Sequence, residues 1–119
     1  MKDILDRLDK IIEDRKSSNP KDSYIASLYK KGNNHICNKV VEEASELVEA
    51  TRQSENQIIH ESADLLFHVL VLLASHDIKY VRILEELESR FGTSGIEEKK
   101  NRKWWGNKML SGISPWSIL

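Results

Sequence analysis

The sequence predicts an all-α protein with about five helices. Only 5 glycines and 2 prolines interrupt its 119 residues, so long stretches carry no strong breaking signal. Apolar side chains recur at helical spacing, and no stretch sustains the two-residue alternation of a half-buried strand. Because a chain of this size buries only about two-thirds of its surface when it folds alone, we expect a helical bundle whose core is completed by dimerisation.

The first two helices lie in the first quarter of the chain. The first is predicted over residues 2–16, where one apolar stripe contains Ile4, Leu5, Leu8, Ile11 and Ile12. A loop follows. The second helix is short and is predicted over residues 23–31, with Asp22 or Ser23 as its N-cap and Gly32 at its C-terminal end.

Three further helices are predicted in the middle of the chain. The third covers residues 35–53, with Asn33 or Asn34 as its N-cap. The fourth covers residues 54–75 and opens with a Ser-x-x-Gln capping box. The fifth covers residues 79–90, and a glycine-containing segment ends it.

Charge and cysteine content narrow the functional classes. The chain has 18 basic and 19 acidic residues, a net charge of −1, which argues against a nucleic-acid-binding protein. Its single cysteine, Cys37, excludes an internal disulfide and fits a reducing compartment. We divide the chain into an all-α domain, residues 1–96, and a basic, tryptophan-containing tail, residues 97–119.

The sequence contains no pattern typical of a membrane or exported protein. Its most apolar run, residues 65–74, is shorter than the roughly 20 residues that cross a bilayer and is interrupted by His68. The N-terminus alternates charged and apolar residues, unlike the continuous apolar core of a signal peptide. We therefore expect a soluble, cytoplasmic protein without a membrane partner.

Acidic residues in the third and fourth helices indicate the chemistry. Glu43 and Glu46 are three residues apart, so their carboxylates can converge, and Glu42 precedes them. Taken by themselves, these glutamates also fit a solvated helix face. The fourth helix is apolar nearly all round, which predicts burial, yet Glu61 and Asp64 share one stripe of it. Buried carboxylates must be paired, protonated or bound to a cation.

A divalent metal ion is the compensating charge that we expect. Lys and Arg are absent from the middle of both helices. If the two helices are antiparallel, Glu43 and Glu46 face Glu61 and Asp64, which supplies four oxygen ligands. All-oxygen ligation suits Mg²⁺, with Mn²⁺ as a substitute. Glu42 can accept a proton from water, so the implied reaction is hydrolysis of a phosphoanhydride.

Four segments share their residues with a known enzyme family. They are Asp-Ser-Tyr-Ile-Ala-Ser-Leu at 22–28, Lys-Gly at 31–32, the stretch at 39–46 and the stretch at 63–68. Together they resemble phosphoribosyl-ATP pyrophosphohydrolase, of the all-α nucleotide pyrophosphohydrolase (MazG-like) superfamily. The superfamily pattern is Glu-Glu-x-x-Glu, followed after a spacer by Glu-x-x-Asp. In this sequence the first part is at residues 42–46 and the second part is at residues 61–64.

The resemblance implies a reaction and an assembly. The reaction is Mg²⁺-dependent hydrolysis of phosphoribosyl-ATP at its α–β phosphoanhydride, the second step of histidine biosynthesis, which yields phosphoribosyl-AMP and pyrophosphate. The assembly is a homodimer built on a four-helix bundle. By motif position, Glu42 becomes the base or a ligand of a second ion, and the Mg²⁺ ligands are Glu43, Glu46, Glu61 and Asp64.

Further residues become candidates for the substrate site. Phosphate contacts are expected from Lys30, Lys31 and Lys39. Tyr24 and His35 can line the nucleotide site. His68 follows Asp64 by one helical turn and is interpreted as a donor that supports a metal-bound carboxylate, although a satisfied core histidine fits the same position.

Two other functions stay open at this point. A housekeeping (d)NTP pyrophosphohydrolase of the same superfamily would share the acidic motifs but not the substrate pocket. A non-catalytic helical dimerisation module could retain the carboxylates without using them. Comparing pyrophosphate release from phosphoribosyl-ATP with release from the common (d)NTPs distinguishes the first alternative from the histidine-biosynthesis enzyme. Measuring Mg²⁺ binding tests the second alternative.

Overall fold

The structure, a computed structural model, describes residues 3–91. It contains five α-helices and, within these residues, no strand, which confirms the predicted all-α class. The helices are α1 (Ile4–Arg15), α2 (Tyr24–Lys31), α3 (Asn33–Ala50), α4 (Glu55–Ser75) and α5 (Tyr80–Ser89). The predicted tail at 97–119 lies outside the described residues, and the division at residue 96 stays a prediction.

Two serines begin helices as predicted. Ser23 Oγ accepts a hydrogen bond from the Ala26 backbone N–H at 3.2 Å and caps α2. Ser54 Oγ accepts from the Gln57 backbone N–H at the same distance and caps α4. Each bond satisfies one amide of the first helical turn, which has no partner inside the helix.

The junction between α2 and α3 differs from the prediction. Gly32 ends α2 and also precedes the first residue of α3, so the two helices are joined without a loop. The predicted caps Asn33 and Asn34 lie inside the first turn of α3 instead. Gly32 can serve both helices because its φ of 98° is a conformation that glycine adopts readily and other residues rarely do.

The core lies among α1, α2, the start of α3 and the C-terminal half of α4. Its buried members are Ile12, Ile25, Leu28, Ile36, Leu70, Val71 and Ala74. The Tyr29 hydroxyl donates to the Val71 carbonyl at 2.9 Å and ties α2 to α4. Burial is the main cause that raises the pKa of Tyr29 to about 12. This packing fixes α2 against α4 and leaves the N-terminal half of α4 for the candidate site.

The chain divides into two compact units. The first ends at Tyr80 and contains α1 to α4. Apart from its first residue, α5 belongs to the second unit, where Arg82 and Glu85 form an ion pair at 3.3 Å. The site described below lies entirely within the first unit.

Among the described helices, α4 is the one with the length and composition of a membrane span. It has 21 residues and is therefore longer than the apolar run that the sequence analysis considered. Core helices of soluble proteins meet the same criterion. The expectation that the chain has no membrane partner stays a prediction.

Candidate active site

The acidic motifs meet on the hairpin formed by α3 and α4. These two helices are joined by a short turn and make the most extensive helix–helix contact in the described residues. One carboxylate oxygen from each of Glu43, Glu46 and Glu61 lies within 4.8 Å of the other two. Three of the four predicted metal ligands thus converge, and their role as ligands stays a prediction.

The fourth predicted ligand belongs to a neighbouring group. Oxygens of Asp64 and Glu61 and a ring nitrogen of His60 lie within 4.8 Å of one another, so Glu61 is common to both groups. His60 Nε2 is 3.4 Å from Asp64 Oδ2. The sequence analysis did not select His60, although its spacing of four residues from Asp64 places both on one helix face.

Burial is distributed differently from the expectation. The apolar composition of α4 predicted that Glu61 and Asp64 would be buried, but both are half-buried, and the side chain of Asp64 is 42% exposed. The buried carboxylate is Glu43 of α3, which is only 6% exposed. The prediction was wrong because it treated the helix as apolar along its whole length, whereas Glu61 and Asp64 lie in its more polar N-terminal half and the buried residues lie in its C-terminal half.

Glu43 provides a direct test of whether the site suits a cation. Its Oε2 is buried and has no hydrogen-bond partner in the described part of the chain. A buried carboxylate oxygen without a partner is unfavourable, because folding removes its water without replacing it. A bound cation restores the lost interaction, so the Glu43, Glu46 and Glu61 carboxylates fit a hard divalent metal ion.

Crowding of negative charge changes the acidity of two of these groups. The neighbouring Glu43 carboxylate is the main cause that raises the pKa of Glu46 above its usual value. The pKa of Glu61 is also raised, first by burial and then by the charges of Glu46 and Asp64. Both shifts have the direction expected where carboxylates gather without enough positive charge.

Lys39 supplies part of that positive charge. Its Nζ lies 3.1 Å from Glu42 Oε1 and 3.6 Å from Glu43 Oε1, three and four residues along α3. The sequence analysis treated the helix middles as free of basic residues and missed that Lys39 reaches one turn into the motif. Its hydrogen bond with Glu42 is the main cause that raises the pKa of Lys39.

A buried histidine joins α2 to α4 beside the acidic groups. His68 is 5% exposed, and its Nδ1 lies 2.8 Å from the backbone carbonyl oxygen of Asp64. Its Nε2 lies 3.0 Å from the Tyr24 hydroxyl. His68 therefore contacts the main chain of Asp64; of the two interpretations that the sequence analysis left open, this contact fits the satisfied core histidine, and the role as a donor to a metal-bound carboxylate stays a prediction.

Tyr24 lies within electrostatic reach of the acidic motifs. Burial is the main cause that raises the pKa of its hydroxyl, and the charges of Glu43, Glu42 and Asp64 raise it further, whereas Lys39 lowers it. The residue as a whole is 53% exposed. Tyr24 is thus accessible from solvent at the edge of the carboxylate cluster, as a residue that lines a substrate site must be.

Three other predicted substrate residues lie near the junction of α2 and α3. Lys30 and Lys31 are exposed in the last turn of α2, and His35 is half-buried in the first turns of α3. None of the groups described above includes them. Basic residues at this position also interact favourably with the C-terminal end of the helix dipole. Their contact with substrate stays a prediction.

Comparisons with known proteins identify the family. The family described as "Phosphoribosyl-ATP pyrophosphohydrolase" matches residues 5–91. A "Phosphoribosyl-ATP pyrophosphatase" from Vesicomyosocius okutanii subsp. Calyptogena okutanii is 48% identical over 103 residues, which cover 86% of this chain and 98% of the relative. The protein of that name from Nitrosomonas eutropha is 50% identical over 100 residues, which cover 83% of this chain and 86% of the relative.

A third relative extends the agreement to another genus. The "Phosphoribosyl-ATP pyrophosphatase" of Trichlorobacter lovleyi is 50% identical over 101 residues, which cover 84% of this chain and 94% of the relative. The family match spans α3 and α4 and therefore covers the segments of this chain that contain both acidic motifs. The chain belongs to the phosphoribosyl-ATP pyrophosphohydrolase family.

Proposed function

We propose that the protein hydrolyses phosphoribosyl-ATP to phosphoribosyl-AMP and pyrophosphate, the second step of histidine biosynthesis. Family membership supports the reaction. The observation that carries the site is Glu43, which is buried, has an unpartnered carboxylate oxygen and lies beside the oxygens of Glu46 and Glu61. A cytoplasmic location and a nucleotide partner, rather than nucleic acid or a membrane, complete the assignment.

The residues that would hold the metal ion are the converging carboxylates. Glu43, Glu46 and Glu61 form the central set, and Asp64 stands next to Glu61 as the fourth ligand. Their oxygens suit Mg²⁺, and Mn²⁺ accepts the same donors. When bound, the ion neutralises negative charge on the phosphate oxygens of the substrate.

Glu42 is the residue assigned to proton transfer. Its side chain is 55% exposed, so water reaches it, and Lys39 Nζ holds one of its oxygens at 3.1 Å. Glu42 takes a proton from the attacking water as the water oxygen bonds to phosphorus and the α–β phosphoanhydride breaks. Lys39 keeps the carboxylate oriented and adds positive charge near the phosphates.

The remaining candidates bind the substrate. Lys30, Lys31 and Lys39 are assigned to the phosphates, because ammonium groups pair with phosphate oxygens. Tyr24 and His35 are assigned to the rest of the nucleotide. Tyr24 has the stronger support, since charges of the acidic motifs act on its hydroxyl.

The decisive experiment compares pyrophosphate release from phosphoribosyl-ATP with release from the common (d)NTPs, in the presence of Mg²⁺. We expect phosphoribosyl-ATP to be preferred and a chelator to abolish turnover. Preference for a dNTP would reassign the protein to the housekeeping pyrophosphohydrolases. Absence of turnover together with absence of Mg²⁺ binding by calorimetry would leave a non-catalytic dimerisation module.

A homodimer is part of the same proposal. Two valines of α3, Val41 and Val48, are 66% and 64% exposed, and Ile59 and Leu66 of α4 are 60% and 48% exposed. Each pair is seven residues apart and therefore lies on one helix face. An open apolar groove of about 450 Å³ follows α3 and is lined by Val40, Val41, Ala44, Ser45 and Val48. Pairing with a second hairpin would complete a four-helix bundle.

Sedimentation of a charged variant tests the dimer. We expect wild-type protein to sediment as a dimer and Val48→Lys as a monomer, because a lysine on the apolar face opposes burial. Ile11→Lys is the matched control, since Ile11 of α1 is 47% exposed but lies outside the groove. A monomeric wild type would remove the dimer from the proposal without affecting the assignment of the reaction.

A further inference from the structure

The contacts of His68 determine where its ring proton lies. Nδ1 is 2.8 Å from the backbone carbonyl oxygen of Asp64, and a carbonyl oxygen can only accept a hydrogen bond. Nδ1 therefore carries a proton and donates it. In the neutral ring Nε2 is then the acceptor, so the Tyr24 hydroxyl donates to Nε2 at 3.0 Å.

This pairing determines what Tyr24 can offer to a ligand. A phenol hydroxyl has one proton, and in Tyr24 this proton is already hydrogen-bonded to His68 Nε2. The Tyr24 oxygen can therefore only accept a further hydrogen bond. Aromatic packing keeps the ring in place. Tyr24 is stacked on Phe67 with ring centroids 6.3 Å apart, and the rings of Phe67 and His68 meet edge to face at 5.1 Å.

We infer that Tyr24 determines specificity by accepting a hydrogen bond from a hydroxyl or amine of the sugar or base part of the nucleotide. His68 is the positioning residue: it accepts the hydrogen bond from the Tyr24 hydroxyl and so leaves the Tyr24 oxygen available only as an acceptor. Phosphate oxygens are acceptors, and a hydroxyl whose proton is committed does not donate to them. The identity of the nucleotide in this inference rests on the proposed function, whereas the hydrogen-bond arrangement of Tyr24 and His68 is independent of it.

Nuclear magnetic resonance tests the arrangement without substrate. In ¹⁵N-labelled wild-type protein, we expect the neutral His68 ring to be protonated at Nδ1 and unprotonated at Nε2. In Tyr24→Phe, which keeps the ring but removes the donor, the Nε2 resonance should shift. A proton on Nε2 would overturn the inference, because the Tyr24 hydroxyl would then be free to donate to phosphate.

Steady-state kinetics tests the role in specificity. For Tyr24→Phe we expect KM for phosphoribosyl-ATP to rise about tenfold, the effect of one lost hydrogen bond, with kcat within about twofold. Inhibition by inorganic pyrophosphate should be unchanged. Weaker inhibition by pyrophosphate would show that Tyr24 binds phosphate and would overturn the inference. A wild type that does not hydrolyse phosphoribosyl-ATP would refute the proposed function, while the resonance experiment still decides the hydrogen-bond arrangement.

Two substitutions of His68 separate positioning from packing. His68→Asn can replace the donor at Nδ1 but has no atom near Nε2, so it should raise KM as Tyr24→Phe does, and the double variant should show no further increase. His68→Gln places an amide near Nε2 and should retain more of the wild-type KM. His76→Asn, at the exposed histidine that caps α4, is the matched control.

Thermal unfolding establishes that each variant is folded before its kinetics are compared. A folded His68→Asn with wild-type KM would overturn the positioning role. If His68→Asn does not fold, Tyr24→Phe and the resonance experiment still decide the inference, because neither alters the buried ring.

Discussion

The two halves of α4 differ both in composition and in surroundings, since polar residues predominate in the N-terminal half and apolar residues in the C-terminal half. All four buried residues of the helix lie in its C-terminal half: His68, Leu70, Val71 and Ala74. The N-terminal half contains Glu61 and Asp64 and its Ile59 is exposed, as is Leu66 at the centre of the helix. One helix therefore supplies the core at one end and the candidate site at the other. Composition taken over the whole helix conceals this difference, which appears only when the two ends are considered separately.

The comparison also explains where an unfavourable group can persist. The C-terminal half stabilises the fold through close packing, so the N-terminal half can hold carboxylates that repel one another. Glu43 of α3 lies beside Glu61 in the N-terminal half of α4, and it is buried with an unpartnered carboxylate oxygen. Substitutions in the two regions should therefore have opposite signatures, one on turnover and the other on stability.

The largest effect is expected from the carboxylates. Glu46→Gln and Asp64→Asn should each lower turnover about 10³-fold or more, since each removes a charged group that we propose as a metal ligand. Stability without metal should be unchanged or higher, because repulsion is relieved. Glu49→Gln is the control, since Glu49 is exposed on α3 and pairs with Arg52. Near-normal activity of either site variant, measured as pyrophosphate release, would contradict the ligand assignment.

The second largest effect is expected from a matched pair of leucines on α4. Leu70→Ala should cost about 3 kcal/mol at any protein concentration, because Leu70 is buried within the chain. The cost of Leu66→Ala should depend on concentration if the proposed dimer forms, because Leu66 is 48% exposed in the single chain and a second copy would cover it. Denaturant unfolding at several concentrations measures both. Equal, concentration-independent costs would contradict the proposal that a second copy covers Leu66.

A smaller effect is expected where Lys16 holds the C-terminal end of α4. Its Nζ donates to the Ala74 carbonyl at 2.7 Å and lies 3.5 Å from Asp77. Lys16→Met keeps most of the apolar stem but removes the charged donor, and the Ala74 carbonyl then keeps only backbone donors such as the Asp77 N–H at 3.0 Å. The free energy of unfolding should therefore fall by about 1–2 kcal/mol. Pyrophosphate release should be unchanged. A loss of activity without a loss of stability would mean that the C-terminal half of α4 also contributes to the candidate site.

The smallest effect is expected at the other end of the helix. Ser54→Ala removes the cap of α4 and should lower the free energy of unfolding by about 1 kcal/mol. Ser62→Ala, in the exposed middle of the helix, should change it by less than about 0.5 kcal/mol. Equal effects of the two substitutions, measured by urea unfolding, would show that the N-terminal half frays with or without its cap.

Local features of the fold could be predicted from the sequence. Ser23 and Ser54 were identified as caps because a cap depends on residues three positions away. The same reasoning failed at Gly32, where one residue ends a helix and begins the next, so that Asn33 and Asn34 became helical rather than capping. No local pattern distinguishes a glycine that ends a helix from one that joins two.

The candidate site was predictable in membership but not in environment. The spacing of the motifs predicted that Glu43, Glu46 and Glu61 meet, and their oxygens do. Which carboxylate is buried depends on how α2 and α4 pack beside α3, which is not encoded in any one segment. The contacts of Lys39 and His60 were missed although each lies three or four residues from its partner, a spacing that places both side chains on one helix face.

The junction at Gly32 has a consequence for chemical synthesis of the protein. A Cβ added there would meet no atom within 4 Å, so the restriction on this position comes from the backbone and not from lack of room. The φ of 98° and ψ of 175° are unfavourable for L-amino acids and are the mirror image of extended backbone. A D-alanine introduced by ligation therefore fits this position, and it restricts the unfolded chain as no natural substitution there can.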